Sequence, residues 1–254
     1  FIKRRQFLAI KDWPGYKNNS GLAYAHSIFI TALKVIKYAV DGSYVTEEIA
    51  RGDFFYNLRN AFEYINKEHY RIVVSILNVL VNLKREEKMW NVFMEYFSKA
   101  QNLSFIQTYG LLKDNNSYNK DVIGDILSFL SALCRKSNEV YKAIDSLNIF
   151  DDLKNLIENS NESTYKSRVC NLLGNMCRHS DFFYDQIKQS GIIVPLLKCC
   201  YDNDKATRKF ACFAIGNAAF LNEKLYESFR PIIPKMVELL KDPEDNTRAN
   251  RSEE

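Results

Sequence analysis

The sequence predicts an all-α fold, a solenoid of about five stacked helical repeats, and three observations predict it. Turn-forming residues are scarce: nine glycines and five prolines among 254 residues are too few for an all-β chain of this length. Apolar residues recur at spacings of three and four along several stretches, which marks helices with one buried face. Short runs of sequence also recur at intervals of 40 to 43 residues, a period that belongs to stacked helical units.

The elements follow in order. Residues 22–40 read as a long amphipathic helix. The run Phe55 to Asn60 (Phe-Tyr-Asn-Leu-Arg-Asn) parallels Phe150 to Asn155 (Phe-Asp-Asp-Leu-Lys-Asn) and places a helix at each. Val79 to Leu83 parallels the later Leu-Gly-Asn and Ile-Gly-Asn runs. Trp90, Phe93, Tyr96 and Phe97 lie at helical spacing and read as core. The region near 100–121 is less regular, and Asn115-Asn116-Ser117 reads as a loop inserted between the second and third helices of its unit. Farther on the repeat is plain. Cys134-Arg135-Lys136-Ser137 returns 43 residues later as Cys177-Arg178-His179-Ser180, and the same offset lays Leu153 on Leu196. Leu173-Gly174-Asn175 returns 42 residues later as Ile215-Gly216-Asn217.

One unit shows the internal order best. A first helix over 182–189 stops at Ser190-Gly191, where glycine suits a left-handed C-terminal position. A second helix runs from 194 to about 201 and tolerates Pro195 in its first turn, where amides have no intrahelical acceptor. Asp202-Asn203-Asp204 then caps a third helix over 206–219. Phe210, Ala211, Ala214, Ile215 and Ala218 form its buried stripe. Three helices this short cannot bury their apolar faces alone, whereas stacked neighbours can. The expected organisation is one solenoid over 1–254. Residues 1–121 are divergent repeats with an irregular insertion near 100–121. Residues 122–250 are regular repeats, the last one truncated after Thr247-Arg248-Ala249-Asn250, which echoes Thr207 to Phe210. The start at Phe1 rather than Met reads as a piece of something longer.

Composition narrows the function. Hydrophobic residues make up 46% of the chain and charged residues 26%, enough for a large core. The net charge of +4, from 35 basic and 31 acidic residues, is too small and scattered to imply nucleic acid. No apolar stretch is long enough for a membrane span. The six cysteines, Cys134, Cys170, Cys177, Cys199, Cys200 and Cys212, sit on apolar helical faces and read as reduced and buried, hence a cytoplasmic location. Cys170, Cys177 and His179 lack the paired spacing of a zinc site, so no metal and no cofactor is expected. His26, His69 and His179 lie far apart, with no matched Ser, Cys or carboxylate, so no catalytic residue is expected.

The runs Gly191-Ile-Ile-Val-Pro195-Leu-Leu197 and Arg208-Lys-Phe-Ala-Cys-Phe-Ala-Ile-Gly-Asn217 resemble the armadillo/HEAT repeat signature. That resemblance implies a right-handed superhelical solenoid. The longer run Arg208 to Ala219, followed by Asp242-Pro243 and Thr247 to Asn250, resembles the armadillo region of Fused-type serine/threonine kinases. The resemblance implies a kinase domain on the parent chain, absent here because no Gly-rich loop, His-Arg-Asp or Asp-Phe-Gly is present. It also implies roles in cilium or cytoskeletal assembly or in signalling.

In armadillo arrays the third helices line a concave face, and an amide there can both donate to and accept from an extended peptide. By register the ladder positions are Tyr38, Asn82, Ala132, Asn175 and Asn217, and one turn earlier Lys34, Asn78, Ser128, Asn171 and Phe213. The expected partner-binding groove is therefore Asn78, Asn82, Asn171, Asn175, Phe213 and Asn217. Asn171, Asn175 and Asn217 are expected to be accessible on one surface. A structural alternative is that these amides only cap or bridge to a neighbouring repeat. Tryptophan is missing from the earlier-turn positions, which disfavours nuclear-import cargo. Arg168, Arg208 and Arg248, near third-helix starts, are expected to pair with carboxylates. Phe182-Phe183-Tyr184 and Phe54-Phe55-Tyr56 cannot all be buried on one helix face, and the residual edge suits a partner helix or self-association. The reading is a non-catalytic scaffold binding a protein or peptide. The alternative is a purely architectural solenoid within a larger cytoskeletal or ciliary assembly.

Overall fold

The structure, a computed structural model, describes residues 27, 30–36, 53–63, 65–82, 87–113, 120–160 and 162–241. Every regular element among them is helical. The chain forms two compact units, Phe1–Phe97 and Ser98–Glu254, and each is described by itself. Tyr38, Asn115 to Ser117 and Thr247 to Asn250 lie outside the described residues, as does most of 22–40.

In the first unit residues 30–36 are helical, with Ile30 and Leu33 buried and Lys34 exposed. Three labelled helices follow: α1 (Asp53–Asn60), α2 (Tyr70–Asn82) and α3 (Glu87–Phe97). Their core is aromatic. Phe55 meets Phe93 edge-on at 5.2 Å and Phe97 at 5.7 Å, and Trp90 stacks on Phe93 at 5.5 Å. Such pairs add about 0.5–1.5 kcal/mol each beyond burial. Phe54 and Phe55 are buried, and the next side chain, Tyr56, is 39% exposed. Helical steps of 100° force that outcome.

The second unit carries α4 (Ala100–Leu103), α5 (Phe105–Thr108), α6 (Lys120–Lys136), α7 (Tyr141–Asp145), α8 (Phe150–Asn159), α9 (Ser163–Met176), α10 (Tyr184–Ser190), α11 (Ile193–Cys199), α12 (Lys205–Phe220), α13 (Tyr226–Phe229) and α14 (Ile233–Leu239). The long helices α6, α9 and α12 form an inner layer, with α9 packed between the other two. The short helices pack outside them: α8 against α9, α11 against α12, and α8 against α10 and α11. Each long helix is thus the third of a unit.

Local chemistry sets the boundaries. α10 ends at Gly191, whose φ of 71° is left-handed and therefore strained for a residue with a Cβ. α12 starts at Asp204, whose carboxylate accepts from the Thr207 amide at 2.8 Å. α10 begins two residues later than the sequence suggests, because Phe182 and Phe183 form the turn into it. Phe183 and Tyr184 are buried and Phe182 is 36% exposed. All six cysteines are buried free thiols.

A candidate partner-binding face on the third helices

Each third helix presents a stripe at spacings of four, three and four residues. On α6 it is Asp121, Asp125, Ser128 and Ala132; on α9 Thr164, Arg168, Asn171 and Asn175; on α12 Ala206, Phe210, Phe213 and Asn217. Most of these side chains are half-buried or exposed. Helical geometry puts i, i+4 and i+7 on one face, so the stripes follow from the 3.6-residue turn.

Side chains tie neighbouring stripes together. Arg168 donates to the Gly124 carbonyl at 2.7 Å and to the Ser128 hydroxyl, reaching from α9 to α6. Asn217 Nδ2 donates to the Gly174 carbonyl at 2.8 Å, reaching from α12 to α9. Asn175 Nδ2 lies 2.9 Å from Ser131 Oγ on α6. It is also 3.0 Å from the Asn171 carbonyl and 3.1 Å from Asn171 Oδ1.

The expected groove residues divide accordingly. Asn171, Phe213 and Asn217 are half-buried and come together on α9 and α12. Asn175 is not accessible: it is 2% exposed, because its amide turns into the seam between α6 and α9, where Ser131 supplies an acceptor. Asn217 likewise bridges, to the unit before it. In the first unit Asn78 and Asn82 lie one turn apart on α2, and Asn82 Nδ2 donates to the Asn78 carbonyl at 2.8 Å. That bond repeats the local geometry of Asn175 and Asn171. At Arg168 a carbonyl and a hydroxyl stand in place of the expected carboxylate, and Arg248 lies outside the described residues. Arg208 donates to its own cap loop, to the carbonyls of Asp202 at 3.1 Å and Asn203 at 3.0 Å. Its hydrogen bonds therefore differ from those of Arg168.

Close approach of α9 and α12 depends on Gly174. A Cβ there would sit 2.5 Å from Phe213 Cδ1 and 3.1 Å from the Ala214 Cα. The Phe213 ring therefore lies directly on the α9 backbone.

Sequence reasoning missed two positioning residues. Tyr141 on α7 donates from its phenol to the Asn175 carbonyl at 2.9 Å. Tyr184 on α10 does the same to the Asn217 carbonyl at 3.4 Å. Each first helix thus anchors the asparagine of its own third helix. The signal was present: Tyr141-Lys-Ala-Ile144 recurs 43 residues on as Tyr184-Asp-Gln-Ile187. Burial pushes both phenols above their usual range, and it also raises the thiols of Cys134 and Cys177, the latter to about 12. His179 Nε2 sits 2.9 Å from the Arg135 carbonyl. Among the described residues no cluster of His, Cys, Asp and Glu could hold a metal, and no helix is long and apolar enough to cross a membrane.

Against solved structures the backbone is similar to a designed armadillo repeat protein in complex with the peptide (KR)4. The TM-score is 0.71 at 17% identity, over 98% of this chain and 97% of that one. This chain has the armadillo fold. A computationally designed armadillo repeat protein for modular peptide recognition gives a TM-score of 0.70, also at 17% identity, over 93% and 92% of the two chains. At such identity the likeness shows the solenoid fold alone. In sequence the armadillo chain is 34% identical over 123 residues to mouse serine/threonine-protein kinase 36, covering 48% of this chain. It is 41% identical over 68 residues to serine/threonine-protein kinase TIO of Arabidopsis thaliana, covering 27% of this chain. Its sequence thus resembles the armadillo-repeat region of a Fused-type serine/threonine kinase. The matched segments span 9% of the mouse protein and 5% of the plant protein. No protein-family model matches the chain.

Proposed function

We propose that the chain is a non-catalytic protein–protein interaction scaffold that binds an extended peptide or protein segment along a concave face lined by its third helices. The observation that carries this reading is the register of Asn171, Phe213 and Asn217. They lie half-open on adjacent third helices, on backbones clamped together by Arg168, Asn175 and Asn217. Polar amides beside an aromatic ring can hold a peptide backbone and one side chain at once. Asn78 and Asn82 on α2 are proposed as partner-binding positions of the first unit by itself. The designed neighbours, one of them solved with a peptide, support a peptide as the ligand class.

In this reading the chain serves a Fused-like kinase whose catalytic domain lies elsewhere on the parent, in the cytoplasm, with the cytoskeleton or cilium as its place of work. It takes no cofactor, metal, nucleic acid or membrane. The exposed Tyr56 and Phe182 offer edges for self-association. The second reading is a purely architectural solenoid that packs by its ends. It is favoured by the open apolar face at Tyr226, Ile233, Val237 and Leu240.

The test is affinity capture with the 254-residue chain, repeated with Asn171→Ala/Phe213→Ala/Asn217→Ala. Captured partners are expected to disappear while helicity is kept. Full capture by a folded triple variant would exclude the concave-face reading.

A further inference from the structure

The outer face of α11 carries a surface that stacking does not use. On the 43-residue offset Val194, Leu197, Lys198 and Tyr201 stand where α8 has Asp151, Lys154, Asn155 and Glu158. The two sets match in exposure position by position: Leu197 and Lys154 are half-buried, and the other six are exposed. The fold leaves these sites to solvent in both units and fills them with polar residues in one. In the other it leaves Val194 58% exposed and Tyr201 59% exposed. Packing does not explain the difference.

A cleft of about 560 Å³ opens beside this face, with Pro231 and Ile232 on its far side. Among the described residues its only charged lining residues are Lys188 and Lys198, and none is a carboxylate. A third ammonium stands at its end: Lys154 Nζ lies 3.4 Å from where a Cβ on Gly191 would be. None of the three lysines forms an ion pair within the described residues. Glu158 and Asp202 line an adjoining cleft that shares Lys198 and Tyr201 with this one, and there Asp202 is held by Lys166 at 3.1 Å. Tyr201 is braced by Lys235, whose ammonium sits 5.0 Å from the ring centroid.

We propose that this cleft docks a short acidic peptide segment carrying one bulky apolar side chain. The apolar side chain enters against Val194, Leu197 and Ile232. The flanking carboxylates meet Lys154, Lys188 and Lys198. Burying exposed apolar surface supplies the affinity, and the lysines select for negative charge and against basic segments. The site is separate from the third-helix face.

The test titrates the 254-residue chain with fluorescent synthetic peptides in which Glu and Asp flank a single Leu or Trp. Saturable binding is expected, weakened by salt and lost when the apolar residue becomes Ser or the acids become Lys. Val194→Asp/Leu197→Lys/Lys198→Asn/Tyr201→Glu copies the outer face of α8 onto α11. It should lower affinity about tenfold or more with an unchanged melting temperature. If that variant does not fold, Lys188→Glu/Lys198→Glu decides, with the same loss expected. The triple variant of the third-helix face should bind these peptides normally. Equal binding by a folded α11 variant overturns the proposal. So does no saturable binding, or a preference for carboxylate-free phosphopeptides or anionic phospholipid vesicles.

Discussion

Asn175 and Asn171 are one turn apart and do different work. The first is internal, shared between its own helix and Ser131 on the neighbouring one. Removing its amide leaves a buried hydroxyl without that donor and opens a small void. Asn175→Ala is therefore expected to destabilise the chain by about 1–3 kcal/mol, measured by chemical denaturation, whereas Asn171→Ala should cost about 1 kcal/mol or less. Equal costs would show that the seam does not depend on the Asn175 bridge. The sequence could place both residues on the third helices, because Leu-Gly-Asn and Ile-Gly-Asn repeat in register. It could not say which way either amide turns. That depends on an acceptor 44 residues away, Ser131, which no local pattern reveals. The expectation for Arg168 failed for the same reason: Arg168 and Arg208 look equivalent near their helix starts, yet Arg168 reaches the α6 backbone and Arg208 donates to its own cap loop.

At the level of the element, legibility was higher. Glycine at the end of α10, the Asp204 cap of α12 and the amphipathic stripes are local signals, and the helices stand where these put them. What remained hidden was contact between elements. Gly174 reads, with Ala214, Gly216, Ala218 and Ala219, as a small residue that lets helices approach closely, and the structure shows which contact requires it. Gly174→Ala drives a methyl group into the Phe213 ring and toward the Ala214 backbone. The expected loss is about 1–3 kcal/mol, and Gly174→Ala/Phe213→Ala should recover part of it in a double-mutant cycle. No recovery would mean that the backbone contact at Ala214, not the ring, sets the limit.

For the molecule as a whole, burial of titratable groups makes stability depend on alkali. The Cys177 thiol rises from its ordinary 9.0 to about 12, and the Tyr141 and Tyr184 phenols rise as well, all chiefly by burial. A group whose folded pKa is raised stabilises the fold below its unfolded pKa and loses that contribution as pH climbs. The melting temperature should thus hold near neutrality and fall between about pH 9 and 12. Cys177→Ala should flatten part of that slope in calorimetric scans. An unchanged profile would place the alkaline transition elsewhere. The period of 40 to 43 residues made this architecture readable from one end of the regular region to the other.

The bridges between α6, α9 and α12 also bear on how a guest could be measured. An amide and a guanidinium each grip a backbone carbonyl one helix over, so the long helices cannot slide along one another without breaking those grips. The array is in effect a ruler. If the proposed peptide lies across it, its contacts would fall at intervals fixed by the host, and a guest with the right side chains at the wrong intervals would be turned away.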